Sequence, residues 1–251
     1  MSLVVLSMII VFAIGFLSAF LSSVSGAGAA LFATPLLVSL GVSLPSVLAC
    51  NQLCAAIWTP IASRNYRRGD LLDLPLVLAV AAMGCVGAYY GYSMAMCIPV
   101  ERMKPLIGAL ILLVVTVVWF RPAIQRRVSE ISQKSRALAI LFGFPLGAYQ
   151  AFFGGGNTLF SSLMFSHTQG FDFRLALAHS YSVAFVWCSL SAFLFWRGGW
   201  VDWNIAIPAV PGSLAGAFLG SMCGSNLSNA ALRRVFLLVG AVMGSKLLLF
   251  S

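Results

Sequence analysis

Charge is what this chain has least of. Residues 1–63 contain no Asp, Glu, Lys or Arg, and the full 251 residues hold only six acidic residues and two histidines, with 8% charged residues in all. Soluble domains carry roughly 25% charged residues, so a water-exposed globule is excluded. The first segment also lacks the basic region that precedes the apolar stretch of a cleaved leader, and it is expected to stay in the membrane. A GxxxxGK[ST] loop is absent, as is any polar domain to house one, so a nucleotide motor is excluded. The cysteines Cys50, Cys54, Cys85, Cys97, Cys188 and Cys223 form no CxxC pair. Cys50 and Cys54 lie one helical turn apart, but no clustered His or carboxylate completes a metal site, and all six are read as small buried hydrophobes. No metal and no cofactor is implied.

What the chain has instead is apolar sequence. With 61% hydrophobic residues and a mean hydropathy of +0.99, it reads as an all-α polytopic membrane protein. A spanning helix needs about 20 apolar residues, and 44–63, 74–97, 104–120, 175–196, 203–223 and 232–250 qualify. Two longer stretches, 3–41 and 137–168, are interrupted by Ser25–Gly28 and by Gly154–Asn157. The formal charge of +9 comes from short loops, Arg64, Arg67 and Arg68 in one, and Arg121, Arg126, Arg127, Lys134 and Arg136 against Glu130 in another. Such clusters orient membrane helices and touch anionic lipid, and no soluble basic surface exists for nucleic acid.

The chain also repeats itself. A shift of about 129 positions lays Arg68-Gly69 on Arg197-Gly198, Asp73 on Asp202, Gly87-Ala88 on Gly216-Ala217, Gly91 on Gly220 and Trp58 on Trp187. A shift of 128 lays Gly26 and Gly28 on Gly154 and Gly156. The expected organisation is a first repeat over 1–120, a basic cytoplasmic linker over 121–136 and a second repeat over 137–251. Each repeat would hold one glycine-broken hairpin or re-entrant stretch and three further helices. With the linker cytoplasmic, the Arg distribution favours inverted copies with both termini outside. Inverted repeats with broken helices are a recurring secondary-transporter design.

A helix break in lipid frees backbone groups that need partners, so it persists only beside protein or a water-lined cavity. Gly154, Gly155 and Gly156 let the backbone turn, and a helix restarting at Asn157 would aim free N–H groups at an anion. Gly26 and Gly28 offer the same from the other copy. Beyond the breaks, Asn51 and Gln52 match Ser180 and Tyr181 under the shift, with Cys50 opposite His179. Together with Gln150 and Asn157, these groups either make interhelical hydrogen bonds or line a substrate pocket. His179 is the one strongly titratable group expected well inside an apolar segment, because Asp70, Asp73, Glu101, Glu130, Asp172 and Asp202 map to loops or segment ends. It is therefore the candidate relay if protons are coupled, and the missing mid-segment carboxylates disfavour a cation pathway. Gly84, Gly87, Gly91, Gly212, Gly216 and Gly220 are read as helix-packing positions, and the two Arg-Gly turns with their following Asp as loop brackets.

These residues, taken in order, resemble the sulfite exporter TauE/SafE family of bacterial membrane transporters. The likeness is carried by Gly15-Phe16 leading to Gly26-Ala27-Gly28 and Pro35-Leu36, by Gly143 leading to Gly154-Gly155-Gly156, and by the Arg-Gly turns followed by Asp73 and Asp202. It spans nearly the whole chain, with Ser25–Gly28 standing where the family has a fuller glycine run. The resemblance implies a multi-pass inner-membrane exporter of small inorganic or organic sulfur anions such as sulfite, thiosulfate or organosulfonates. Two rival classes are a membrane-embedded enzyme, which would need a nucleophile with its base or paired carboxylates, and a membrane assembly protein. Partners are then the anion and the lipid bilayer. Oligomeric state is not legible, a homodimer being one option.

Overall fold

The computed structural model describes residues 3–26, 28–67, 69, 71–97 and 133–228, with single positions at 109, 112, 116, 231, 234, 237, 238, 241, 242 and 245. Apart from those positions, the expected spans 104–120 and 232–250 lie outside the described residues, as do Ala27, Arg68, Asp70 and linker residues 121–132. The described chain is helical: α1 (Leu3–Ser25), α2 (Ala30–Ser39), α3 (Leu44–Arg67), α4 (Leu74–Cys97), α5 (Gln133–Phe152), α6 (Asn157–Gln169), α7 (Phe173–Arg197) and α8 (Trp203–Asn226). Among these, α1, α3, α4, α7 and α8 are long and apolar enough to cross a membrane. The short helices α2 and α6, of 10 and 13 residues, fall well below the length of a full crossing.

The polarity of the surface identifies the solvent. Ser18, Ser22, Gln52, Gln150, Asn157, His179 and Ser180 are buried, while Ile9, Leu17, Leu78, Val86, Tyr89, Phe193 and Ile207 face outward. Polar inside and apolar outside suits hydrocarbon and would aggregate in water. Trp196, Trp200 and Trp203 are exposed beside Arg197 at the α7–α8 turn, the composition of a headgroup-level belt. The chain is a multi-pass membrane protein.

Helices α3 and α7 pack on each other at the centre, α8 lies along α3 and α1, and α4 lies along α7 and α5. Lipid tails are as apolar as leucine, so helices associate through close packing rather than hydrophobic expulsion. Glycine provides it: a Cβ on Gly87 or Gly91 would fall 2.0 Å from the carbonyl oxygen of Phe144 or Ala148 on α5. At the other outer pair, a Cβ on Gly216 or Gly220 would fall 2.1 or 2.5 Å from the carbonyls of Phe16 and Phe20 on α1. The phenol of Tyr66 donates to Ser23 O at 2.5 Å and that of Tyr181 to Ser22 O at 3.2 Å, tying the end of α1 to both central helices.

The largest departures from the bounds that hydropathy implied are at α3 and α5. α3 continues from Ser63 to Arg67 because Ser63 Oγ donates to Ala178 O at 2.9 Å and Tyr66 reaches α1. α5 begins at Gln133, four residues inside the expected linker, where Arg136 pairs with Asp73 at 2.7 Å and the Ser135 hydroxyl donates to Thr168 O. Asp73 accepts from Leu76 N and Asp202 from Asn204 N, so each carboxylate caps the helix that follows it.

Candidate functional site at the paired helix breaks

Both short helices begin where a glycine turn leaves the preceding helix. Gly26 and Gly28 have φ of 74° and 83°, and Gly154 and Gly156 have φ of 76° and 81°, a left-handed region that glycine enters without steric cost. The turns touch. A Cβ on Gly28 would stand 2.7 Å from Gly156 N and 2.9 Å from Gly154 O, so the approach requires a residue without one. The first N–H groups of a helix lack intrahelical partners, and at this contact the glycine turns take up part of them, Leu31 N donating to Gly28 O at 3.2 Å and Leu159 N to Gly156 O at 3.1 Å.

A cavity of about 20 Å³ lies beside it, lined by Gly28, Ala29 and Ala30 from the first break and by Phe153, Gly154 and Thr158 from the second. The α3 face contributes Asn51, Gln52, Ala55, Trp58 and Thr59, α5 contributes Gln150, and α7 contributes Ala184 and Cys188. The volume is enough for about one water. A second cavity of about 20 Å³ adjoins it, sharing Ala29 and Asn51 and lined also by Gly15, Ser18, Cys50, Cys54 and Ser213.

Buried amides join the breaks to the central helices. Asn157 Nδ2 donates to Gln150 Oε1 at 2.8 Å, Gln150 Nε2 to Gln52 Oε1 at 3.2 Å, and Gln52 Nε2 back to the Gln150 carbonyl at 2.5 Å. Gln150 Nε2 also lies 3.1 Å from Cys188 Sγ, and Asn51 Nδ2 donates to Thr34 Oγ1 at 3.0 Å. A Cβ on Gly154 would lie 2.7 Å from Gln150 Nε2, so the glycine break is also what admits this amide. These amides are uncharged, and their N–H groups bond largely to one another.

Of the residues singled out by sequence, Gly28, Asn51, Gln52, Gln150 and Gly154 line the first cavity. Gly156 abuts Gly28, Gly155 accepts from Tyr149 Oη at 2.5 Å, and Asn157 is fully buried with its Oδ1 unpartnered. Gly26 faces Leu177. His179, Ser180 and Tyr181 line neither cavity. His179 Nε2 accepts from Asp73 N at 3.0 Å, leaving Nδ1 to donate to Leu175 O at 2.9 Å between the rings of Phe165 and Phe171. Ser180 Oγ donates to Ala176 O at 2.7 Å, and Tyr181 packs between Trp58 and Tyr66.

The sulfite exporter TauE/SafE profile matches residues 11–247, which covers both breaks, the amide chain and all three outer and central helix pairs. The chain belongs to that family. It is 26% identical over 242 residues to a "Probable membrane transporter protein" of Haemophilus influenzae, covering 95% of this chain and 93% of the relative. It is 25% identical over 239 residues to "Probable membrane transporter protein YfcA" of Escherichia coli K12, covering 95% and 88%. It is 21% identical over 252 residues to "Probable membrane transporter protein YdhB" of Bacillus subtilis, covering 97% and 99%. No solved structure gives a significant match.

For this TauE/SafE chain, sequence reading missed Trp58, Thr59, Thr158 and Cys188 as cavity residues. A signal existed for the first two. Positions 51, 52, 55, 58 and 59 recur at helical spacing, so the polar pair Asn51 and Gln52 marks a face that continues through Trp58 and Thr59. Cys188 carried none, because its role depends on Gln150, 38 positions away.

Proposed function

We propose that this protein is a secondary transporter that exports small sulfur-containing oxyanions, such as sulfite, thiosulfate or organosulfonates, across the bacterial inner membrane. Its substrate site is the cavity between two inverted repeats. The observation that carries the reading is the meeting of two glycine breaks, each opening a short helix, beside a cavity whose lining includes amide and hydroxyl groups. Helix N-termini turn their positive dipole ends toward an anion at the cavity, although Leu31 N already donates to Gly28 O at 3.2 Å, Asn157 N to Gly154 O at 3.4 Å and Leu159 N to Gly156 O at 3.1 Å. Family membership and the names of the relatives support transport.

The repeat reading draws support from the packing. Gly87 and Gly91 meet Phe144 and Ala148 just as Gly216 and Gly220 meet Phe16 and Phe20, and each pair is related to the other by the shifts found in the sequence. Exchange of conformation between such copies is a known route to alternating access. With room for about one water, the cavity of about 20 Å³ is a contracted state that a polyatomic anion must widen. An anion leaving the cytoplasm gains about 2.3 kcal/mol per charge per 100 mV from an inside-negative potential, so export could run without a coupling ion.

Counterflow in proteoliposomes tests the proposal, with labelled sulfite on one side and unlabelled sulfite, thiosulfate, sulfate or methanesulfonate on the other. Accelerated exchange supports an anion carrier and ranks its substrates. Folded, inserted protein that exchanges none of them removes the sulfur-anion assignment.

A further inference from the structure

Trp58 and Trp187 occupy matching positions in the sequence, both fully buried, yet among the described residues only Trp187 has its indole N–H satisfied. Trp187 Nε1 donates to Ala81 O at 3.0 Å. It reaches that carbonyl across Gly84, where a Cβ would fall 2.1 Å from the indole ring. The corresponding positions in the other half, 129 residues on from Ala81 and Gly84, are Val210 and Ser213. Ser213 carries the side chain that Gly84 lacks, and its hydroxyl donates to Val210 O at 2.9 Å. In the repeat register, the carbonyl matching that of Ala81 already accepts from Ser213, and a side chain stands where Gly84 has none.

Trp58 is left 2% exposed with no partner for Nε1 among the described residues. A buried donor without an acceptor has lost its water partner with nothing in return. Trp58 lines the cavity at the paired breaks, next to Asn51, Gln52 and Thr59 on its own helix. Its ring is braced edge-on by Tyr181, with centroids 5.6 Å apart.

Resting on the transporter reading, we propose that the Trp58 indole N–H is a substrate ligand, donating a hydrogen bond to an oxygen of the bound oxyanion. The indole N–H can only donate, so it favours a ligand that presents an acceptor oxygen. The two halves thus share a tryptophan but use it differently, Trp187 as a tie between α7 and α4 and Trp58 as a contact for cargo.

Sulfite counterflow in proteoliposomes, measured as half-saturation concentration and maximal rate separately, tests this in Trp58→Phe and in a variant carrying 3-benzothienylalanine at position 58. That residue keeps the bicyclic shape of indole and has no N–H, and it serves where Trp58→Phe fails to fold. The expected result is a half-saturation concentration raised about ten-fold, the loss of one hydrogen bond to a charged acceptor, with the maximal rate retained. Trp187→Phe should instead lower the melting temperature and leave half-saturation unchanged. Wild-type exchange with unaltered half-saturation in either folded position-58 variant overturns the assignment and leaves the transporter reading standing. A wild-type protein that exchanges no anion overturns both.

Discussion

Gly28 and Gly156 meet backbone to backbone, close enough that one methyl group on Gly28 would stand 2.7 Å from the Gly156 nitrogen. Neighbouring backbone cannot swing aside as a side chain can, so Gly28→Ala must push the breaks apart. Gly41 is the internal control, since its φ of 85° is equally left-handed and no atom lies within 4 Å of a Cβ there. Both substitutions incur backbone strain of order 1–3 kcal/mol. Only Gly28→Ala is expected to lose transport as well, and equal transport by the two variants, measured at equal folded protein, would count against the breaks as the site.

Gln150 is the centre of the amide chain, accepting from Asn157 and donating toward Gln52. Gln150→Leu leaves the buried Asn157 amide without its acceptor, a cost of about 1–3 kcal/mol. Contacting residues of one network couple by about 0.5–3 kcal/mol, so a double-mutant cycle with Asn157→Leu should be non-additive in thermal unfolding. Additive losses would mean that the chain does not act as a unit.

His179 has a role that its chemistry alone did not predict. Its ring accepts the Asp73 N–H at the start of α4 and donates to its own helix. The nearest cavity residue on α7 is Ala184, about 7–8 Å along the helix axis at 1.5 Å per residue. His179→Phe is therefore expected to reduce stability by about 1–3 kcal/mol through the orphaned Asp73 amide, while the pH profile of transport keeps its shape. A profile flattened by the substitution would restore His179 as a proton relay.

The contrast between His179 and Gly154 marks what sequence could and could not convey. Breaks in apolar runs are legible because lipid forbids unpartnered backbone, and the bounds of α4, Leu74–Cys97, follow hydropathy residue for residue. A buried histidine is legible only as a demand for partners, and its partner lay 106 positions away at Asp73. Tyr181 likewise matched Gln52 in register but spends its hydroxyl on Ser22 O. The Trp58 N–H, unpartnered among the described residues, was hidden for the same reason, since no local pattern shows which acceptors packing brings near it.

The charge state of the cargo follows from the wall of the cavity. Its described lining residues are glycine, alanine, threonine, amides, aromatics and one cysteine, all uncharged, so in the proposed site these residues would hold an anion through neutral dipoles. The Born cost of burying an ion grows with the square of its charge, so a dianion pays about four times the penalty of a monoanion, while each dipole it meets only doubles its interaction. Monoanions are therefore favoured. Hydrogen sulfite and methanesulfonate should exchange faster than sulfate, with thiosulfate, a dianion, ranked below them. Exchange per total sulfite should rise as pH falls through the second ionisation of sulfite, because protonation converts the dianion to the monoanion. Methanesulfonate, which keeps one charge throughout, should show no such rise, and this separates titration of the cargo from titration of the protein. Sulfate exchanging as fast as methanesulfonate would mean that a positive charge reaches the bound anion.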